Sequence, residues 1–192
     1  MNKIFLATNN QHKVEEVLSI APNIDWKTPK DFSELNGLDP EETGETFKEN
    51  AKLKARAFAD KTGMLTVAED SGLVVDVLDG RPGVYSARWV SGTDHDRNIA
   101  LLEELKGEDN RSAKYMATLC VYDPETNETN FFTGEVKGKI AKELKGDQGF
   151  GYDPLFIPDG YEQTFGELGE SVKSQFSHRK NAFVKFLNWF KD

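Results

Sequence analysis

The chain has 192 residues, 38% of them hydrophobic and 30% charged, with a formal net charge of −9. At this length one compact domain spanning residues 1–192 is expected, with roughly 70% of the unfolded chain's surface buried on folding. The balance excludes a disordered, fibrous or membrane-spanning chain, and the acidic total argues against a nucleic-acid partner, which needs a continuous basic stripe.

Lys3–Ala7 reads as a short buried strand, and its apolar run is too short for the core of a secretory leader. Asn9–His12 turns, and Lys13–Ile20 follows as a helix with Val14, Val17 and Leu18 on one side. The acidic stretch 31–45 carries Gly37, Pro40 and Gly44 and reads as loop. Thr46 and Glu49 have capping-box spacing, which predicts a helix to about Thr62, stopped by Gly63. Leu65–Val67 and Leu73–Leu78 read as two strands separated by Glu69-Asp70-Ser71-Gly72, and Gly80-Arg81-Pro82-Gly83 as a turn. Thr93 or Asp94 can cap a helix with Ile99, Leu102 and Leu105 on one face. Lys114–Tyr122 and Thr129–Val136 suggest a hairpin around Asp123–Glu128. Gly146–Pro154 is a glycine-rich loop before the strand Leu155–Pro158. A last helix places Phe183, Phe186, Leu187 and Phe190 at i, i+3, i+4 and i+7, an apolar stripe that docks on the body. Strands mixed with helices, and a late hairpin, give an α/β class on a mixed sheet.

Four places could carry chemistry. Thr8-Asn9-Asn10-Gln11-His12-Lys13 sits where a strand feeds a helix, and its amides, hydroxyl and lysine suit a phosphate, although the plainer reading is a helix cap. It has neither the P-loop nor the dinucleotide-turn pattern. Glu41-Glu42 and Glu69-Asp70 are acidic pairs that could hold Mg²⁺ together with phosphate oxygens, with Asp70 expected at the carboxyl edge of the sheet. Taken alone, Glu41-Glu42 reads more simply as a solvated acidic loop, and a helix or turn cap accounts for Asp70 equally well. Gly149-Phe150-Gly151-Tyr152-Asp153 reads as backbone that approaches a ligand closely, with Phe150 available to stack on a planar ring or to plug the core. Ser177-His178-Arg179 opens the last helix beside Lys173. His12, His95 and His178 lack metal-ligand spacing, and the single cysteine, Cys120, has no Cys or His partner nearby, so neither zinc nor a thiol nucleophile is expected. One cysteine also points to a reducing cytosol, so a soluble, cytoplasmic protein without a membrane partner is expected.

The order of these blocks is more specific than any one of them. T-x-N-x-x-K at Thr8–Lys13, E-E-T-G at Glu41–Gly44, F-x-E-N-A-x-x-K-A at Phe47–Ala55 and E-D-S-G-L at Glu69–Leu73 come first. G-x-P-G-x-Y-S-A-R at Gly80–Arg88, G-F-G-Y-D-P at Gly149–Pro154 and K-x-x-x-S-H-R at Lys173–Arg179 complete the set. The chain resembles the inosine triphosphate pyrophosphatase family, also called Ham1-like, from residue 3 to about residue 187.

The resemblance implies an elongated mixed α/β sheet flanked by helices, with two lobes, a substrate cleft and usually a homodimer. It implies Mg²⁺-dependent hydrolysis of the deaminated purine triphosphates ITP, dITP and XTP to the monophosphate and pyrophosphate. By its motifs, Thr8 to Lys13 match the triphosphate turn, Glu42 and Asp70 the metal ligands, and Asp70 also the proton acceptor. Lys54 and Lys173 match cations on the triphosphate side, Ser71 a substrate contact and Phe150 the base-stacking ring. Gly151, Tyr152, Asp153, His178 and Arg179 match the surroundings of the base, where an arginine donating to O6 suits hypoxanthine and xanthine. Glu69 stands where many members have Asp, moving that carboxylate by one methylene. The rival readings are a Maf-like pyrophosphatase for other modified nucleotides and a purine-nucleotide-binding protein without catalysis.

Overall fold

The structure, a computed structural model, describes residues 3–191. In chain order the elements are β1 (Lys3–Leu6), α1 (Gln11–Ile20), β2 (Asp25–Lys27), α2 (Phe47–Thr62), β3 (Thr66–Val75) and α3 (Asp94–Glu104). They continue with β4 (Ser112–Tyr122), β5 (Thr129–Ile140), β6 (Phe156–Pro158), α4 (Phe165–Leu168), α5 (Glu170–Phe176) and α6 (His178–Lys191). The strands form one sheet in the order β2-β1-β3-β4-β5-β6. β1 runs parallel to β2 and to β3, with Ile4 opposite Trp26 and Phe5 opposite Thr66, while β5 and β6 are antiparallel, with Lys139 opposite Ile157. The sheet is therefore mixed and the class α/β, as expected from the sequence.

The chain forms two compact units: residues 1–70, 117–134 and 179–192 make the first, and residues 71–116 and 135–178 the second. In the first, strand alternation sorts the core into two layers. Ile4, Leu6, Val67, Ala117, Leu119 and Val121 meet Val14 and Val17 of α1 and Phe183 and Phe186 of α6. The intervening residues, Phe5, Ala7, Ala68, Cys120 and Tyr122, meet Ala51, Ala55 and Phe58 of α2. The apolar stripe read on the last helix is the one that docks: Phe183 and Phe186 are buried, with Leu187 and Phe190 packed beside them. The second unit has its own core, in which Leu73, Val75, Leu101, Leu105, Tyr115, Phe156 and Phe165 pack together.

The local signals for α2 hold. Thr46 Oγ1 accepts from Glu49 N–H, Glu49 answers the backbone of Thr46, and Gly63 ends the helix at φ +64°. Asn10 caps α1, accepting from Lys13 N–H, so that helix begins at Gln11, two residues earlier than the apolar pattern suggested.

Three expectations are corrected. Leu65–Val67 and Leu73–Leu78 are not two strands: β3 is continuous from Thr66 to Val75, and a 3₁₀ turn takes Asp76–Leu78. Glu69 and Asp70 therefore lie in mid-strand, not at its carboxyl edge, because nearby cations and an amide satisfy their carboxylates. The tight approach of Gly72 to Gly83 O and Ser86 Oγ, where any Cβ would clash, explains a glycine within this strand. Ile99 of α3 is exposed, and Leu101 turns inward in its place, together with the expected Leu105 and the partly buried Leu102. The sequence reading also missed β2, α4 and α5, the first because three residues carry no periodicity, the others because they are short.

Cys120 lies in the layer beneath α2, and burial pushes its thiol up to about 12. A disulfide reagent at pH 8 is expected to leave the folded protein unmodified and to titrate one thiol after unfolding in denaturant.

Candidate active site

β1 delivers the chain into the Thr8–Lys13 turn. Thr8 is half-buried and its Oγ1 accepts from Asn10 N–H at 3.2 Å. Asn9 donates to Leu38 O at 3.0 Å, Gln11 donates to Glu15 at 3.0 Å and accepts from Lys30, and His12 is exposed on the first turn of α1. Only Lys13 of this block reaches inward, its ammonium 3.3 Å from Glu69 Oε1. Burial lowers the Lys13 pKa, with Glu69 the largest opposing influence and Lys54 and Arg179 adding to the decrease.

Glu69 and Asp70 are neighbours in β3, so their side chains leave on opposite faces. Glu69 faces α1 and α6. Arg179, the second residue of α6, clasps it with Nε to Oε2 at 2.6 Å and Nη2 to Oε1 at 2.8 Å, and Arg179 Nη1 donates to Glu16 of α1. Only 1% of Arg179 is exposed. Burial alone would lower its pKa, but the two carboxylates outweigh that and hold it raised. Asp70 faces α2, where Asn50 Nδ2 donates to Oδ2 at 3.2 Å and Lys54 Nζ to Oδ1 at 3.3 Å. Lys54 also donates to Glu42, from the acidic loop before α2. Burial raises the Asp70 pKa, and Lys54 only partly offsets this. For Lys54 burial pulls downward, yet Asp70 and Glu42 together leave it raised.

Glu42 and Asp70 thus already place one oxygen each on a single cation, the Lys54 ammonium. Two hard oxygens converging on one charge suit Mg²⁺, which takes one or two carboxylates and completes its shell with water and phosphate oxygens. Among the described residues no group of three or more His, Cys, Asp or Glu is disposed to hold a metal. A divalent ion here would depend on ligands from its substrate.

The second unit carries the other group. In the Gly146–Pro154 loop, Gly149 (φ +79°) leaves room for Asp153, whose Oδ2 accepts from Phe150 N–H at 2.9 Å and from Lys173 Nζ at 2.7 Å. The Lys173 ammonium also lies over the Phe150 ring, 4.4 Å from its centroid. Tyr152 Oη donates to Ser86 O at 2.9 Å. His178 stacks on Tyr115 at 4.9 Å with the rings 14° apart. Burial and then the Asp153 charge push the Tyr115 hydroxyl well up, so it stays protonated beside that carboxylate. Ser71 is half-buried in β3, and Gly151 is half-buried at φ +62°.

Two cations have protein partners that the sequence reading did not name. Lys173, matched by the resemblance to a triphosphate-side cation, is buried against Asp153 and Phe150. Arg179, expected with His178 at a base edge, is committed to Glu69 and Glu16. Successive helical side chains diverge by about 100°, so adjacency to His178 does not make Arg179 share its surroundings. Sequence reading missed Glu16, Asn50 and Tyr115. Glu16, a buried acid on the apolar side of α1, carried a signal: a carboxylate there needs a cation.

Paired carboxylates holding a cation, with lysines beside them, form a group able to bind a polyphosphate and activate water. Comparison with known proteins agrees with this class. The model of the Ham1 family matches residues 4–189, and the chain belongs to that family. The dITP/XTP pyrophosphatase of Listeria monocytogenes serovar 1/2a is 46% identical over 95% of this chain and 91% of the relative. That of Oceanobacillus iheyensis is 42% identical over 98% of both. The Ham1 protein structures of Coxiella burnetii and Staphylococcus aureus superpose with TM-scores of 0.90 and 0.89, at 34% and 35% identity, each over at least 98% of both chains.

Glu69→Gln leaves Arg179 buried with one carboxylate where it had two, and removes the main counter-charge of Lys13. Losing one partner of a buried ion pair is expected to cost about 3–5 kcal/mol, to be read from urea unfolding.

Proposed function

We propose that this protein hydrolyses the deaminated purine nucleoside triphosphates ITP, dITP and XTP to the monophosphate and pyrophosphate, cleansing the nucleotide pool. The observation that carries the reading is the convergence of Glu42 from the loop before α2, Lys54 of α2 and Asp70 of β3, in a chain of the Ham1 family. Full-length relatives named dITP/XTP pyrophosphatase supply the substrate class. Neither rival reading has an observation in its favour.

In this mechanism Asp70 takes the proton from a water that attacks the α-phosphorus. A buried carboxylate with a raised pKa is suited to that, because it holds a proton more readily than an exposed one. Asn50, donating to Asp70 Oδ2, helps to orient that carboxylate. Lys13 and Lys54 provide fixed positive charge for the triphosphate, and the Thr8–Lys13 turn its polar cradle. Glu42 and Asp70 are the residues that would hold Mg²⁺. When bound, it would neutralise charge developing on the leaving pyrophosphate. By the family's motifs Phe150 would stack on the base, with Gly151, Tyr152, Asp153, Lys173 and His178 around it and Ser71 a further substrate contact. Arg179 acts through Glu69 and Lys13 in this reading.

A homodimer and a cytoplasmic location are proposed from the family resemblance. No helix among the described residues is long and apolar enough to cross a membrane.

Pyrophosphate release from ITP, XTP, GTP and ATP, with Mg²⁺ and then with EDTA, tests the reading. Fast, EDTA-sensitive release from ITP and XTP alone is expected; equal rates on all four would remove the base selectivity, and ITP binding without turnover would leave only a binding protein. Asp70→Asn should stay folded and lose most of its turnover, and near-wild-type rates in that variant would reject Asp70 as the base. Phe150→Ala should weaken nucleotide binding by about 1–3 kcal/mol, the usual worth of one aromatic stack, seen as a higher KM.

A further inference from the structure

The Phe150 loop is fastened to α3 at one residue. Gly151 N–H donates to Asp94 Oδ2 at 2.7 Å, and Gly151 O accepts from Asn98 Nδ2 at 2.7 Å. Both backbone polar groups of the residue after Phe150 therefore end on two side chains one helical turn apart, on the same face of α3. Asn98 is only 2% exposed, and its amide also donates to Asp94 O at 2.7 Å. Two carbonyl partners leave no alternative orientation, because only the NH₂ end can serve both. The second carboxylate oxygen of Asp94 is held by Arg97 at 2.6 Å.

Behind this fastening lies space. A cavity of about 210 Å³ separates Asp94, His95 and Asn98 from the loop residues Gln148, Gly149 and Phe150. Gly149 and Gly151, on either side of Phe150, both have positive φ, a backbone conformation that glycine adopts freely. The loop is held from Gly151 by α3 and from Phe150 N–H by Asp153.

We propose that Asp94 and Asn98 are positioning residues for nucleotide recognition, pinning the Gly151 peptide so that Phe150 presents its ring to the base. The proposal rests on the reading that Phe150 stacks on substrate, and its test separates the two. In the full-length protein, Asn98→Ala and Asp94→Ala are expected to speed amide hydrogen exchange across residues 146–151. Each should also raise KM for ITP about tenfold, with kcat changed by no more than about threefold, the pattern of lost binding with the chemistry intact. Asp94→Asn, which keeps an oxygen for the Gly151 N–H, should recover most of the KM. Asp94 has a half-exposed side chain, so its variants carry the test if Asn98→Ala does not fold. Unchanged loop exchange in the folded variants overturns the pinning. So does a wild-type KM in them when Phe150→Ala raises KM, or a kcat loss as deep as the loss in kcat/KM. A wild-type KM in Phe150→Ala instead marks failure of the stacking reading.

Discussion

The guanidinium of Arg179 is the tie on which the first unit's charged layer depends. It joins the first turn of α6 to Glu69 in β3 and to Glu16 in α1, three segments far apart in sequence. The net worth of such a buried arrangement is small, because desolvating the ions consumes most of what their attraction returns. Its effect is on geometry: a planar donor fork accepts few orientations, so α6 enters at a set angle and lays Phe183 and Phe186 over the sheet. The same carboxylate of Glu69 then stands 3.3 Å from Lys13 and opposes the lowering of its pKa by burial.

Every lysine assigned to substrate already has a protein carboxylate: Lys13 has Glu69, Lys54 has Glu42 and Asp70, and Lys173 has Asp153. In the proposed mode of binding, a triphosphate competes with the partners of Lys13 and Lys54. Part of its attraction to the protein is therefore cancelled by contacts that loosen on binding, which moderates ground-state affinity and favours interactions that strengthen as charge moves during reaction. This also explains how a chain with net charge −9 can handle a tetra-anion: its cations are few, local and internally balanced.

Much of this was legible in the sequence wherever a side chain acts on its own neighbourhood. The Thr46–Glu49 box, the Gly63 stop and the apolar stripe of α6 are local devices, and each marked its element correctly. Glu69-Asp70-Ser71-Gly72 has the composition of a turn and is strand, because Arg179 and Lys54 reach its carboxylates from over a hundred and from sixteen residues away. Spacing cannot announce such partners. Nor could it place Lys173 with Asp153 or Arg179 with Glu16, since a helix turns adjacent residues toward different surroundings. Ordered motifs pointed to the family, whereas the pairing of these side chains became visible only in three dimensions.

The two acids of β3 serve different neighbours because a pleated strand alternates its faces. Parity along this strand is therefore a functional quantity. Removing a single residue between Thr66 and Glu69 would exchange the destinations of the two carboxylates, offering one to Lys54 and the other to Arg179 with each side chain the wrong length for its new partner. An even shift would preserve the faces but move both acids along the sheet. The connecting turn at Asp123–Glu128 has no such bookkeeping and can change length freely. Length variation in this fold should thus collect in its turns, and the strand that holds Glu69 and Asp70 should keep its count.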